Sequence, residues 1–115
     1  MKLYGIANCS TVKKARDWLD THGFAYQFHD FKKLGVDMVT LERWLAQNSY
    51  EKLINRAGLT WRGLSDDAKL SINNNATAIQ LMQDKTSVIK RPILENNSKI
   101  IALGFSEAQY QLLFK

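Results

Sequence analysis

One cysteine, one proline and six glycines in 115 residues deny several protein classes their raw material. The single cysteine, Cys9, cannot close an internal disulfide, which excludes a disulfide-stapled secreted domain and makes any redox chemistry borrow a second thiol. No Pro-, Gly- or Ser-rich stretch divides the chain, so residues 1–115 are expected to form one domain around a core drawn from the 45% hydrophobic residues. The apolar run near the N-terminus is short and gives way to polar, helix-like sequence. Neither a signal peptide nor a membrane span is therefore expected, and the chain reads as cytoplasmic. His22 and His29 lie seven apart, with no cysteine or acid cluster at ligand spacing, so no metal is expected.

Acidic residues are in deficit, leaving a formal charge of +5. The basic residues come in scattered pairs, Lys13-Lys14, Lys32-Lys33 and Lys90-Arg91, rather than in one block. Zinc-finger spacing and RNP-like aromatic motifs are missing, so direct nucleic-acid binding is not expected. The positive surface suits anionic small molecules such as glutathione equally well.

What is present is an ordered series of elements. "KLYGIA" (2–7) is a short apolar strand, and "TVKKARDWLDTH" sets Val12, Ala15, Trp18 and Leu19 at helical spacing ahead of a capping Gly23. "FAYQFHDF" alternates Phe24, Tyr26 and Phe28 in strand period, completing a strand-helix-strand unit of the kind that makes a right-handed parallel crossover. A helical insert of about 35–85 follows. In it Met38, Leu41 and Leu45 share a face with Trp44 beside them, "YEKLINRAG" runs to Gly58, Ser65 caps "DDAKLS", and "NNATAIQLMQDK" forms a further helix. "TSVIK" and "KIIALG" read as two strands of a hairpin turning at Asn96-Asn97-Ser98. The closing "SEAQYQLLF" has capping-box spacing at Ser106 and Gln109, and an apolar face of Ala108, Leu112 and Leu113. The order is that of an α/β, thioredoxin-like fold with a helical insert between its second and third strands.

In that order the first strand delivers Cys9 to the N-terminus of the first helix. There the unpaired N–H groups and the helix dipole favour a thiolate. Lys13, one turn along, is expected to add a positive charge near the sulfur. Taken by itself, Cys9 is open to two readings, an inert small side chain or a nucleophile. Arg56 and Arg91, taken by themselves, suit surface arginines stacked on Trp61 or paired with acids better than ligand-binding residues. Trp18 and Trp44 suit the core.

"NCSTVKKARDWLDTHG", "LINRAG" and "KRPIL" resemble the arsenate reductase family of the glutaredoxin-coupled kind, which also holds Spx-type transcriptional regulators and YffB-type thiol reductases. The resemblance covers essentially the whole chain and is nearest to the YffB-type branch. It implies that Cys9 is the nucleophile, that Ser10 and Thr11 bind an anion beside it, and that Lys13 takes the place of a basic residue there. Arg56 and Arg91 would complete an anion site, with Pro92 in a cis peptide bond next to Cys9. The third arginine of true arsenate reductases is missing: Gly104, in "LGFSE", stands at the matching position, where glycine also suits a turn of positive φ. The Cys-x-x-Cys switch common in Spx-type regulators is missing too, since its second position is Val12.

The resemblance therefore implies a thiol reductase that works through an intermolecular mixed disulfide, with glutathione as co-substrate, no bound cofactor, and glutathione or glutaredoxin as partner. Its alternatives are an arsenate reductase proper and a regulator that binds RNA polymerase without catalysis.

Overall fold

The computed structural model describes residues 1–115. The chain resolves into two compact units, Met1–Leu34 with Arg91–Lys115, and Gly35–Lys90.

The first unit contains the whole sheet. Strand β1 (Lys2–Gly5) is joined by helix α1 (Ser10–Thr21) to a parallel strand β2 (Gln27–Asp30), and a single turn, α2 (Phe31–Leu34), follows. Strands β3 (Ile93–Asn96) and β4 (Lys99–Leu103) form a hairpin, and α8 (Glu107–Leu113) closes the chain. The sheet order is β2-β1-β3-β4, with β1 and β3 antiparallel, which is the thioredoxin-like arrangement expected from the sequence.

Helix α1 forms because Val12, Ala15, Trp18 and Leu19 bury one stripe, and it stops because Gly23 adopts φ 75°, a conformation costly for residues with a Cβ. Leu3, Leu94 and Ala102 of the sheet pack with Ala15, Trp18 and Leu19 of α1 and Tyr110 of α8 in one core. On the opposite sheet face the Tyr4 hydroxyl donates to the buried Glu95 carboxylate at 3.1 Å, and the Tyr4 ring lies 4.8 Å from that of His29.

The second unit, where the sequence places its insert, is built from short helices: α3 (Met38–Leu45), α4 (Tyr50–Leu53), α5 (Leu59–Arg62), α6 (Asp66–Ser71) and α7 (Asn75–Asp84). Side-chain caps explain several starts. Asp37 accepts from the Thr40 N–H, Ser65 from that of Ala68, and Asn74 with Thr77 forms a reciprocal capping box. No helix in the chain is long and apolar enough to cross a membrane.

Several expected elements differ. The first hairpin strand is "ILEN", not "TSVIK", which forms a 3-10 turn (Thr86–Val88) and a single bridge between Ile89 and Ile54 inside the second unit. The β-branched run is satisfied there by short antiparallel bonding, with the Asn55 N–H on the Val88 carbonyl at 2.9 Å. The hairpin turns at Asn97 and Ser98, both at positive φ (52° and 65°), the pair of conformations that matches strand twist. Phe24 and Tyr26 precede β2 rather than belonging to it, and Gly58 starts α5 instead of ending a helix. In α3 Leu41 and Trp44 are buried while Met38 is 52% exposed. In α8 Tyr110 is the buried residue and Leu112 is 69% exposed, because the face seated on the core runs from Tyr110 to Phe114.

Gly5 ends β1 where α1 returns closest: a Cβ there would lie 2.8 Å from Val12 Cγ2, and Val12 is fully buried. A β-branched core side chain has few rotamers into which to retreat. Gly5→Ala is expected to destabilise the protein by about 1–3 kcal/mol, and Val12→Ala in the same chain should recover part of the loss. Urea unfolding of the single and double variants measures both.

Candidate active site

Cys9 is the N-cap of α1, with extended backbone (φ −96°, ψ 127°), its carbonyl accepting from the Lys13 N–H at 3.0 Å and its own N–H donating to the Ile6 carbonyl at 3.1 Å. An N-cap side chain projects toward the N–H groups two and three residues on. Here these belong to Thr11 and Val12. The neutral thiol, a weak acceptor, makes no cap hydrogen bond of ordinary geometry, yet both amides favour the thiolate.

Arg91 reaches the same place from the other end of the sequence. Because β3 runs antiparallel to β1 with Ile93 opposite Tyr4, the start of β3 lies at the sheet end where β1 leads into the Cys9 turn. Burial is the largest single influence on the half-buried Cys9 thiol and pushes its pKa up. It is outweighed by the Val12 N–H, the hydrogen bond from Arg91, the Thr11 N–H and the Arg91 charge, so the thiol sits below its ordinary value.

The charge expected beside the sulfur is corrected by this arrangement. The positive charge acting on the sulfur is that of Arg91, not Lys13, whose exposed ammonium stands in water that screens it. The amides acting on the sulfur are those of Val12 and Thr11, and Ser10 is the exposed first residue of the helix. Arg56 lies in the second unit, its guanidinium 5.4 Å over the Trp61 ring and 3.9 Å from the Glu51 carboxylate. Those are the stacked and acid-paired contacts that the sequence also allowed for it.

Pro92 is buried and the Arg91–Pro92 peptide bond is cis. The Pro92 carbonyl accepts from the N–H of Gly104, which has φ 74°. The sequence marks Gly104 for lacking an arginine, and this hydrogen bond, joining residues twelve apart, has no local signal. A groove of about 600 Å³ lies elsewhere in the first unit, against Trp18, His22, Phe105 and Glu107, and includes none of the expected site residues. The thiol and the groups that act on it are gathered at the Cys9 turn instead. No three His, Cys, Asp or Glu side chains are grouped to hold a metal ion.

Comparison with known proteins matches residues 4–113 to the ArsC family. A solved structure of a YFFB protein is 43% identical, over 99% of this chain and 98% of that one, with a TM-score of 0.90. An arsenate reductase (ArsC) related protein from Brucella melitensis is 47% identical over 99% of this chain and 93% of its own, with a TM-score of 0.80. The global transcriptional regulator Spx of Streptococcus mutans is 27% identical over 87% of this chain and 72% of its own.

Arg91→Gln is expected to raise the Cys9 pKa, whereas Lys13→Ala should leave it in place; the pH dependence of alkylation by iodoacetamide, with Cys9→Ser as blank, measures both. A thiol whose pKa is lower folded than unfolded stabilises the fold only as thiolate. The stability advantage of wild type over Cys9→Ser should therefore grow as pH rises through the folded-state pKa, level off above the unfolded value of about 8.5, and vanish as pH falls below the folded-state value. Urea unfolding of the two proteins at pH 5 and pH 9.5 gives the sign.

Proposed function

The chain belongs to the ArsC family, and from that premise we propose that it is a thiol-disulfide oxidoreductase using glutathione as co-substrate. The observation that carries this reading is a cysteine at a helix N-cap, with its pKa lowered and Arg91 against its sulfur, in a chain with no second thiol. The Cys9 thiolate attacks the glutathionyl sulfur of a mixed disulfide, the sulfur–sulfur bond breaks, and the substrate leaves as a thiolate. A second thiolate, from glutathione or a glutaredoxin, then attacks the Cys9–glutathione bond, releasing an oxidised product and restoring the Cys9 thiolate. One substrate disulfide is reduced for each external disulfide formed.

Arg91 and the Val12 and Thr11 amides hold negative charge at the sulfur and on an anionic ligand beside it. Pro92, Ser10 and Lys13 line the same turn in this reading. Arg56 is assigned an anion-binding role on the resemblance alone. The charge distribution fits: the unit carrying Cys9 has nine lysines and arginines against five acids, and so holds four of the five excess positive charges.

Intact mass after incubation with oxidised glutathione tests the reading. One adduct is expected, absent in Cys9→Ser and removed by reduced glutathione; a wild-type chain whose Cys9 alkylates at neutral pH yet takes no adduct would refute it. Similarity to Spx proteins supports a second reading, regulation through RNA polymerase, which co-purification with polymerase and no thiol turnover would favour.

Arsenate is expected to be a poor substrate. With Gly104 in place of a third arginine, one charge-assisted hydrogen bond of about 1.5–3 kcal/mol is missing, roughly ten- to hundred-fold in rate. Arsenate turnover with glutathione and glutaredoxin, set against that of a glutathionyl disulfide, measures the difference.

A further inference from the structure

Gly104 stands at the end of β4, two residues before the Ser106 cap of α8, and is itself buried. Its N–H donates to the Pro92 carbonyl at 2.8 Å, extending the β3–β4 pairing by one bond past the Ile93–Leu103 pair. Arg91 comes immediately before that anchored residue. The chain beyond Gly104 is fixed as well: the Phe105 ring packs edge-on against Tyr110 at 4.7 Å, and the Ser106 hydroxyl accepts from the Gln109 N–H at 3.1 Å. The backbone thus has to leave β4, bond to Pro92 and enter α8 within three residues, and it does so through φ 74° at Gly104.

From this geometry we infer that Gly104 is a positioning residue: its left-handed backbone directs an N–H onto the Pro92 carbonyl and thereby holds Arg91 against the Cys9 sulfur. A residue with a Cβ resists that conformation, and relieving the strain turns the peptide about the N–Cα bond of residue 104. The bond to Pro92 lies past the end pair of the β3–β4 register, so it is the element that yields. The inference rests on the proposed role of Cys9 as a reactive thiol. It also gives Gly104 a purpose apart from the missing arginine: Gly104→Arg adds a charge while loosening Arg91.

The test is the pH profile of Cys9 alkylation in Gly104→Ala, in Gly104→Asn, and in Gly23→Ala. Gly23 has nearly the same φ, 75°, with open space around its missing Cβ, and lies away from Pro92, so it carries a similar backbone cost without the anchor. Gly104→Ala should lower the alkylation rate at pH 7 about three-fold, equivalent to a rise of about half a pH unit in the thiol midpoint. Asn tolerates the left-handed region best among residues with a Cβ, so Gly104→Asn should retain most of the wild-type profile, and Gly23→Ala all of it. In an Arg91→Gln background Gly104→Ala should produce no further shift.

A wild-type midpoint below 8.5 that does not move in Gly104→Ala, or a shift that persists without Arg91, overturns the inference while leaving the reactive thiol intact. An ordinary wild-type midpoint overturns the reading of Cys9 itself. If Gly104→Ala does not fold, comparison of Gly104→Asn with Gly104→Ser, whose tolerance of positive φ is poorer, decides the matter by the same readout.

Discussion

The contact between Gly5 and Val12 is the constraint on which the rest of the first unit turns. Strand β1 has to end, and α1 has to begin, with backbone and a branched side chain nearly touching, and a Cβ at residue 5 would have to push Val12 aside. That approach fixes the path of residues 6–9, puts Cys9 at the N-cap, and aims its sulfur at the Thr11 and Val12 amides. Val12 thus serves twice, its side chain filling the core under β1 and its N–H facing the thiol.

The charge state of Cys9 is a balance of opposing effects. Partial burial disfavours the thiolate, and neither the amides nor Arg91 would need to be strong if the thiol stood in open water. A half-buried sulfur makes those same partners more effective, because less water competes for them. The site therefore gains from sitting in the turn between strand and helix, where the backbone supplies donors that a surface cysteine lacks.

The parts of this arrangement visible in the sequence are those with local physical causes. The α1 stripe, the Gly23 stop, the Ser65 and Ser106 caps and the Cys9 junction all follow from spacing and capping chemistry within a few residues. The identity of the charge beside the sulfur was hidden because Arg91 lies 82 residues away and meets Cys9 only through β1–β3 pairing, whereas Lys13 is near in sequence and remote in effect. The hairpin was misplaced for a related reason: "TSVIK" has the composition of a strand, and its single bridge to Ile54 depends on a partner from elsewhere in the second unit. The exposed Leu112 misled because a seven-residue helix presents too few turns for its apolar face to be fixed by periodicity.

The pairing of Lys2 with Glu95 closes a loop of more than ninety residues, among the most distant contacts the chain makes. Closing such a loop is entropically costly unless the intervening chain is already compact, and the second unit has the means: the Lys90 N–H bonds to the Leu53 carbonyl at 2.7 Å, tying its end to its middle. The long-range pairing has a chemical corollary. Helix α1 and its capping cysteine come from one stretch of sequence, whereas Arg91 is set beside them by β3 and its pairing with β1. The charge beside the thiol therefore belongs to the completed sheet and not to the strand-helix unit alone.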